Sequence, residues 1–501
     1  MTAPGTRAGE DADDLDVEEA LALVNPPHRR TPHGHAPTHG HAPAPGDAPT
    51  PGDAPRPGGH APAPTARGAA PAPRDATAAA QGGTAASARQ HAHHRATPWP
   101  EARATAERAG RAARASAGKA GRSTVTVPLD AALGLILAAP LTALTDLPSF
   151  DTSAMDGWAV AGPGPWTLRE DGVLAGHAEP ARLADGEAVR IATGARIPPD
   201  TTAVLRSEHG VTDDNGRLHP TKDHLGHGQD IRPRAQECRT GDQLLPAGTL
   251  VTPAVLGLAA AAGYDTLAVV PRPRVDVLVL GDELLTEGLP HDGLIRDALG
   301  PMLPPWLRAL GAEVTAVRRI GDDADALHRA ITGSEADLVV TTGGTAAGPV
   351  DHVHPTLHRI GAQLLVDGVK VRPGHPMLLA RLAEDRYLVG LPGNPLAAVS
   401  GLLTLAEPLL RALAGHPAPE RYALPLKDGA HGHPYDTRLI PVVLRGRRAV
   451  PLHYNGPAML RGVAAADALA VVPPGGAETG QNTEILELPW AAAAGPAACF
   501  T

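Results

Sequence analysis

The chain has 501 residues, a formal net charge of -10 and 43% hydrophobic residues, with only two phenylalanines among them. Its length allows several domains of ~100–200 residues each, and its acidic balance argues against nucleic acid or an anionic membrane, either of which wants a basic face. Two cysteines, Cys238 and Cys499, cannot build a disulfide framework or a zinc site by themselves, which points to a reducing cytoplasm.

The opening residues, MTAPGTRAGEDADD, are acidic where a secretory signal would be basic and then apolar. From Met1 to about Ala96 the chain is rich in Pro, Ala, Gly and His, with almost no large apolar residue after Val24. Such a segment cannot bury enough surface to fold, so residues 1–96 are expected to form a disordered tail. Its nine histidines could catch a metal, but they repeat no ligand spacing, so a solvated tail is the favoured reading over a metal store. Ordered structure should begin near Trp99, where WPEARATAERAGRAARASA has the composition of a helix. STVTVPLDAALGLILAAPL then reads as a strand and a second helix, and its apolar run AALGLILAAPLTAL is shorter than the ~20 residues that span a bilayer.

The stretch SFDTSAMDGWAV, Ser149 to Val160, interrupts an apolar run with Asp151, Ser153 and Asp156, a pattern that favours a ligand over simple core filling. GEAVRIATGARIP and TTAVLRSEHG are short, turn-bounded and rich in Val, Ile and Thr, as in a small β-rich unit. GDQLLPAGTLVTPAVLGLAAAAGY returns to strand, turn and helix. From Pro273 to about Gly415, RVDVLVLG, PPWLRALG, EVTAVRRI, DDADALHRAITG and DLVVTTGG alternate as β-α-β-α-β, the pattern of a mostly parallel, doubly wound sheet. A long helix, NPLAAVSGLLTLAEPLLRALAG, closes this unit, with Asn394 placed to cap it and Pro395 in its first turn. TRLIPVVLRG and RRAVPLHY read as a last β-barrel or sandwich.

Ligands in open α/β sheets bind beyond the carboxyl ends of the strands. Three strand ends here carry chemistry: Gly281, Asp282 and Glu283; TTGGTAAGPVD, with Gly343, Gly344 and Asp351; and GLPGNP, Leu391 to Pro395. Glycine turns free backbone N–H groups for an anion, and carboxylates such as Asp282, Glu283 and Asp351 hold a hard cation such as Mg²⁺ shared with phosphate oxygens. Asp322 and Asp323 have a structural reading as well, because Asp322 stands where the following helix wants an N-cap.

With these motifs assembled, residues from about Trp99 to Pro489 resemble the molybdopterin molybdenumtransferase family, the MoeA type that includes the gephyrin E domain. FDTSAMDGWAV looks like that family's hallmark, followed in order by RIATGARIP, LGDELL, TTGGTAAGPVD, RPGHP and GLPGNP. The resemblance implies a multidomain α/β plus β architecture. Residues 97–146 and 232–272 would form a split first domain, 147–231 a β-rich insert, 273–415 an α/β molybdopterin-binding domain and 420–490 a C-terminal β domain.

It also implies a homodimer whose active site lies between one subunit's α/β domain and the other's first two domains. The implied chemistry joins molybdate to adenylylated molybdopterin and releases AMP with Mg²⁺ assisting; other proteins of molybdenum cofactor biosynthesis are implied partners. By the same matching Asp156, Glu283, Asp322 and Asp351 are catalytic acids, and Ser153, Thr193, Arg232, Gly343, Gly344, Pro392 and Pro395 contact substrate. Asp282, Glu283 and Asp351 are the implied metal ligands.

The family's KPGKP is RPGHP here, so Arg372 and His375 stand in for two lysines at the molybdate. Ala346 replaces a serine, Asp297-Ala298-Leu299 replaces DSN, Ala235-Gln236-Glu237 replaces GED, and Pro457 replaces a last-domain serine. Three readings follow: an active insertase, a non-catalytic or regulatory paralogue that binds or escorts molybdopterin species, or another nucleotide-handling enzyme on the same fold.

Overall fold

The computed structural model describes residues 96–490 apart from 174, 175, 177–179, 222, 223 and 347–350. The expected tail, save Ala96, lies outside the described residues, as does Cys499; Cys238 is a buried thiol.

Trp99–Lys119 is a helix that starts on a proline in its first turn and buries Trp99, Ala102, Ala106, Ala109 and Ala113 along one stripe. Small residues bring it close to the helix Glu407–Leu413: a Cβ at Gly110 would overlap the Leu409 carbonyl. Trp99 Nε1 donates to Thr404 Oγ1 at 3.0 Å, and the Tyr387 hydroxyl donates to the Ala109 carbonyl at 3.1 Å. This helix is thereby fastened to the α/β unit, although its place in the chain groups it with the split first domain.

The second helix expected after Ser123 does not form. Val125–Pro128 is a strand, Leu129–Ala131 a single 3₁₀ turn, and Ile136–Leu137 a short strand paired with Val269 and Val270. Gly134, at φ +75°, breaks the run, and the sheet ladder takes the apolar residues a helix would have used. The expected helix near Val255 forms over Pro253–Ala261, capped by Thr252, whose hydroxyl accepts from Val255 N at 3.3 Å. Residues 157–220 form a six-stranded sheet whose strand Gly157–Val160 is buried along its length, with Trp158 and Val160 in one core and Ala159 in another.

In the α/β unit the sheet order is Glu313–Ile320, Arg274–Leu280, Leu338–Thr342, Arg386–Leu391, Leu378–Ala383, Gln363–Asp367. The first four strands are parallel, Leu378–Ala383 runs antiparallel to them, and Gln363–Asp367 pairs antiparallel with it in turn. Leu278, Val339 and Leu388 pack with Leu327 and Ile331 of the helix Ala324–Thr332 and with Val353 and Leu357 of Val353–Arg359. The alternate residues Val277, Val340 and Tyr387 are buried too, so helices cover both faces. The closing helix runs Pro395–Leu413 with a π-helical turn at Leu402–Ala406. It is apolar and long enough to cross a membrane, yet 78% of that stretch is buried inside the protein, as in a core helix.

Val369–Arg372 leaves the α/β sheet and pairs in parallel with Thr437–Arg445, the central strand of the C-terminal antiparallel sheet. That crossover decides where Arg372 points.

Candidate active site

The chain runs from Arg274–Leu280 outward to Glu313–Ile320, then back across to Leu338–Thr342 on the other side. The crevice at such a reversal opens beyond the carboxyl ends of the two strands that flank it. A cavity of 680 Å³ lies there, walled by Gly281 and Glu283, by Gly321 and Asp322, by Gly343 to Ala346 with Asp351, and by Pro392 to Pro395. Ala458 and Leu460 of the C-terminal domain close another side.

Glycines shape these corners. Gly343 and Gly344 sit at φ +79° and +65°, and a Cβ on Gly344 would stand 3.0 Å from Val353 Cγ2. Gly343 N donates to the Leu391 carbonyl at 2.8 Å, which ties this turn to the GLPGNP loop and leaves that N–H unavailable to an anion. The rest of the turn, including Gly348, falls outside the described residues. Gly281, at φ +127°, lacks the Cβ that would overlap the Glu283 carboxylate.

Asp323, not Asp322, caps the helix Ala324–Thr332: its Oδ1 accepts from Asp325 N at 2.8 Å and Ala326 N at 3.0 Å. Asp322 therefore reaches the cavity with no capping duty. Asp282 turns aside, its Oδ2 accepting from Asp322 N at 3.3 Å, and does not line the cavity. Among the described residues no three His, Cys, Asp or Glu side chains come within ligating range of one point, so Asp282, Glu283 and Asp351 do not form a preassembled metal cage.

Pro392 and Pro395 line the cavity. Asn394 occupies the N-cap position, but its side chain makes no capping bond. The Pro457 carbonyl takes that role instead, accepting from Leu396 N at 2.9 Å and Ala397 N at 3.2 Å, so the C-terminal domain is bolted to the cavity wall.

Asp156 and Thr193 form a second group, and neither lines the cavity. Asp156 Oδ1 accepts from Thr193 N at 2.7 Å and Thr193 Oγ1 at 2.9 Å, and these bonds, the backbone one foremost, hold its carboxyl below the usual carboxylate range. Both residues are exposed, beside the exposed Phe150 and Met155, and the Arg196 guanidinium lies 5.6 Å from the Phe150 ring centroid. Ser153 is a correction: it is wholly buried, and its hydroxyl donates to the Met155 carbonyl at 2.6 Å, so it shapes the loop rather than meeting substrate. Arg232 is exposed at the end of a two-residue strand paired with Thr152 and Ser153.

Neither Arg372 nor His375 lines the cavity, whereas their neighbour Pro376 does. Carried into the C-terminal sheet, Arg372 Nε donates to Oδ2 of the fully buried Asp436 at 2.8 Å. His375 Nδ1 lies 2.9 Å from the Val369 carbonyl and must donate to it, which fixes the tautomer and turns the ring back on its own hairpin. Sequence reasoning passed over Arg296 and His352, which do line the cavity. Arg296 could have been found one residue before the Asp297 that was compared with DSN.

Residues 98–263 match the MoeA N-terminal region, domains I and II; residues 276–412 match the "Probable molybdopterin binding domain"; residues 423–488 match the MoeA C-terminal region, domain IV. The molybdopterin molybdenumtransferase of Staphylococcus aureus strain Mu50 is 29% identical over 385 residues, 72% of this chain and 90% of that protein. Molybdopterin molybdenumtransferase 2 of Mycobacterium tuberculosis strain H37Rv is 36% identical over 315 residues, 59% of this chain and 77% of that protein. The crystal structure of a molybdopterin biosynthesis MoeA protein from Pyrococcus horikoshii superposes with a TM-score of 0.60 at 27% identity, covering 73% of this chain and 94% of its own. With its three regions in the family's order and its acids gathered at the α/β switch point, the chain belongs to the molybdopterin molybdenumtransferase family.

Proposed function

We propose that this protein acts in the cytoplasm as a homodimer, joining molybdate to adenylylated molybdopterin with release of AMP during molybdenum cofactor biosynthesis. The observation that carries the reading is the convergence of Glu283, Asp322 and Asp351 on one switch-point cavity in a chain of this family. Oxygen donors facing a cavity without an all-protein cage suit Mg²⁺, which binds through one or two carboxylates and completes its shell with water and substrate phosphates. Glu283 and Asp351, with Asp322 beside them, are the residues that would hold it, and its chemistry there would be to neutralise pyrophosphate charge. Gly343, Gly344, Pro392 and Pro395 shape the walls against which the substrate is oriented. Asp156, ionised and exposed among the apolar Phe150 and Met155, is delivered by the partner subunit with Thr193 and Arg232. The non-catalytic reading is not favoured, because the cavity keeps its acids and the matched relatives are named as transferases.

Titration calorimetry with adenylylated molybdopterin, with and without Mg²⁺, tests the site. Binding should strengthen with Mg²⁺, and Glu283→Ala and Asp351→Ala should abolish that gain. Metal-independent binding, unchanged in both variants, would sink the assignment.

A further inference from the structure

We propose that Arg296 is the cation that holds the substrate's pyrophosphate in this chain, distinct from Arg372 and His375, which its sequence motifs assign to the molybdate. The proposal rests on the reading above for the identity of the substrate, but the anion site itself does not. Five carboxylates line the cavity, those of Glu283, Asp297, Asp322, Asp323 and Asp351, and among the described lining residues Arg296 is the one permanent cation. A polyanion entering so acidic a cavity needs fixed positive charge at the point of contact.

Arg372 is tied to the buried Asp436, and the His375 ring is turned onto the Val369 carbonyl, so the two expected cations are engaged outside the cavity. The Arg296 guanidinium, exposed at the cavity, makes no hydrogen bond or ion pair among the described residues. Its neighbours explain why. Asp297, the nearest acid in sequence, accepts from Gly300 N at 2.9 Å and faces Arg319 Nη1 at 3.9 Å.

The backbone beneath Arg296 is fixed. Leu284–Leu285 pairs in parallel with Ile295–Arg296, Ile295 N donates to the Glu283 carbonyl at 2.8 Å, and Asp297 N donates to the Leu285 carbonyl at 2.9 Å. Arg319 adds a hydrogen bond to the Leu284 carbonyl. An exposed side chain, unbonded among the described residues, thus stands on a pinned base, one strand from Glu283. Its planar fork can take two phosphate oxygens at once, which a lysine cannot.

The test is titration calorimetry on the full chain with two probes, inorganic pyrophosphate and adenylylated molybdopterin. Arg296→Ala should weaken both about 10- to 100-fold, the loss expected for hydrogen bonds to a charged group. Arg296→Lys should recover part of that loss, because it restores charge without the fork. Arg372→Gln, which keeps a donor for Asp436, should leave pyrophosphate affinity within about threefold, since Arg372 does not line the cavity and bonds to Asp436, which does not line it either. Arg296 is exposed, so a fold defect is not expected, and an unchanged circular dichroism spectrum checks this. Pyrophosphate binding by Arg296→Ala equal to wild type, a loss in Arg372→Gln as large as in Arg296→Ala, or no pyrophosphate binding by wild type would each overturn the proposal. Arg296-dependent binding of pyrophosphate without binding of adenylylated molybdopterin would uphold the anion site and reject the insertase reading.

Discussion

At the scale of single residues, the site is set by which polar groups are already engaged. Asp156 takes two hydrogen bonds from Thr193, so it stays ionised below the ordinary carboxylate value of ~3.9. A folded value below the unfolded one adds stability that is complete above the unfolded pKa and is lost as pH falls through the folded pKa. Thr193→Val should therefore raise the Asp156 titration, seen by carboxyl carbon NMR, and move the acid limb of any activity profile upward; an unmoved titration would break the link. Asp322 and Asp323 adjoin in sequence and differ in duty. Asp323→Ala removes a helix cap and should cost about 1 kcal/mol of stability with little effect on turnover. Asp322→Ala should cut turnover at an unchanged melting temperature. Denaturant melts beside steady-state rates would decide, and the reverse pattern would return Asp322 to a capping role.

At the scale of elements, most of the α/β unit was legible because its strands are continuous apolar runs and its helices carry a clear amphipathic period. Glu283 and Asp351 followed from the loops that leave strand ends, whereas Asp322 read locally as a helix cap and was singled out only by the family resemblance. What sequence could not disclose was non-local. The segment after Leu129 has helical composition, but strand Thr266–Val270, more than a hundred residues later, draws Ile136 and Leu137 into a ladder. RPGHP reads as a cationic loop, yet pairing of Val371 with Thr437 and of Arg372 with Arg438 places the guanidinium over Asp436. Pro457 could not be recognised as a cap, because capping by a distant carbonyl leaves no side-chain signature. The helix Trp99–Lys119 was foreseen, but its seat was not. Gly110→Ala would force a Cβ into the Leu409 carbonyl and should destabilise by about 1–3 kcal/mol. A denaturant midpoint equal to wild type would show that the two helices are not held at this contact.

At the scale of the whole molecule, the residues matched to one active site fall into two groups on this chain. Glu283, Asp322 and Asp351 line the cavity, whereas Asp156 and Thr193 lie on the inserted β unit outside its lining. The proposed two-fold dimer, in which each subunit completes the other's cavity, would reconcile these places, and its isologous symmetry would supply two equal sites. The most direct measurement is molybdate-dependent AMP release from adenylylated molybdopterin by wild type, Asp156→Asn, Glu283→Gln and a co-expressed mixture of the two variants. Wild type should release AMP only when molybdate is present, and each variant alone should be nearly inactive. The mixture should regain roughly a quarter of wild-type activity, because half of its dimers carry one intact site of two. Wild type that binds adenylylated molybdopterin tightly but releases no AMP at millimolar molybdate would contradict the assigned reaction, and a mixture no more active than its parts would contradict the shared site.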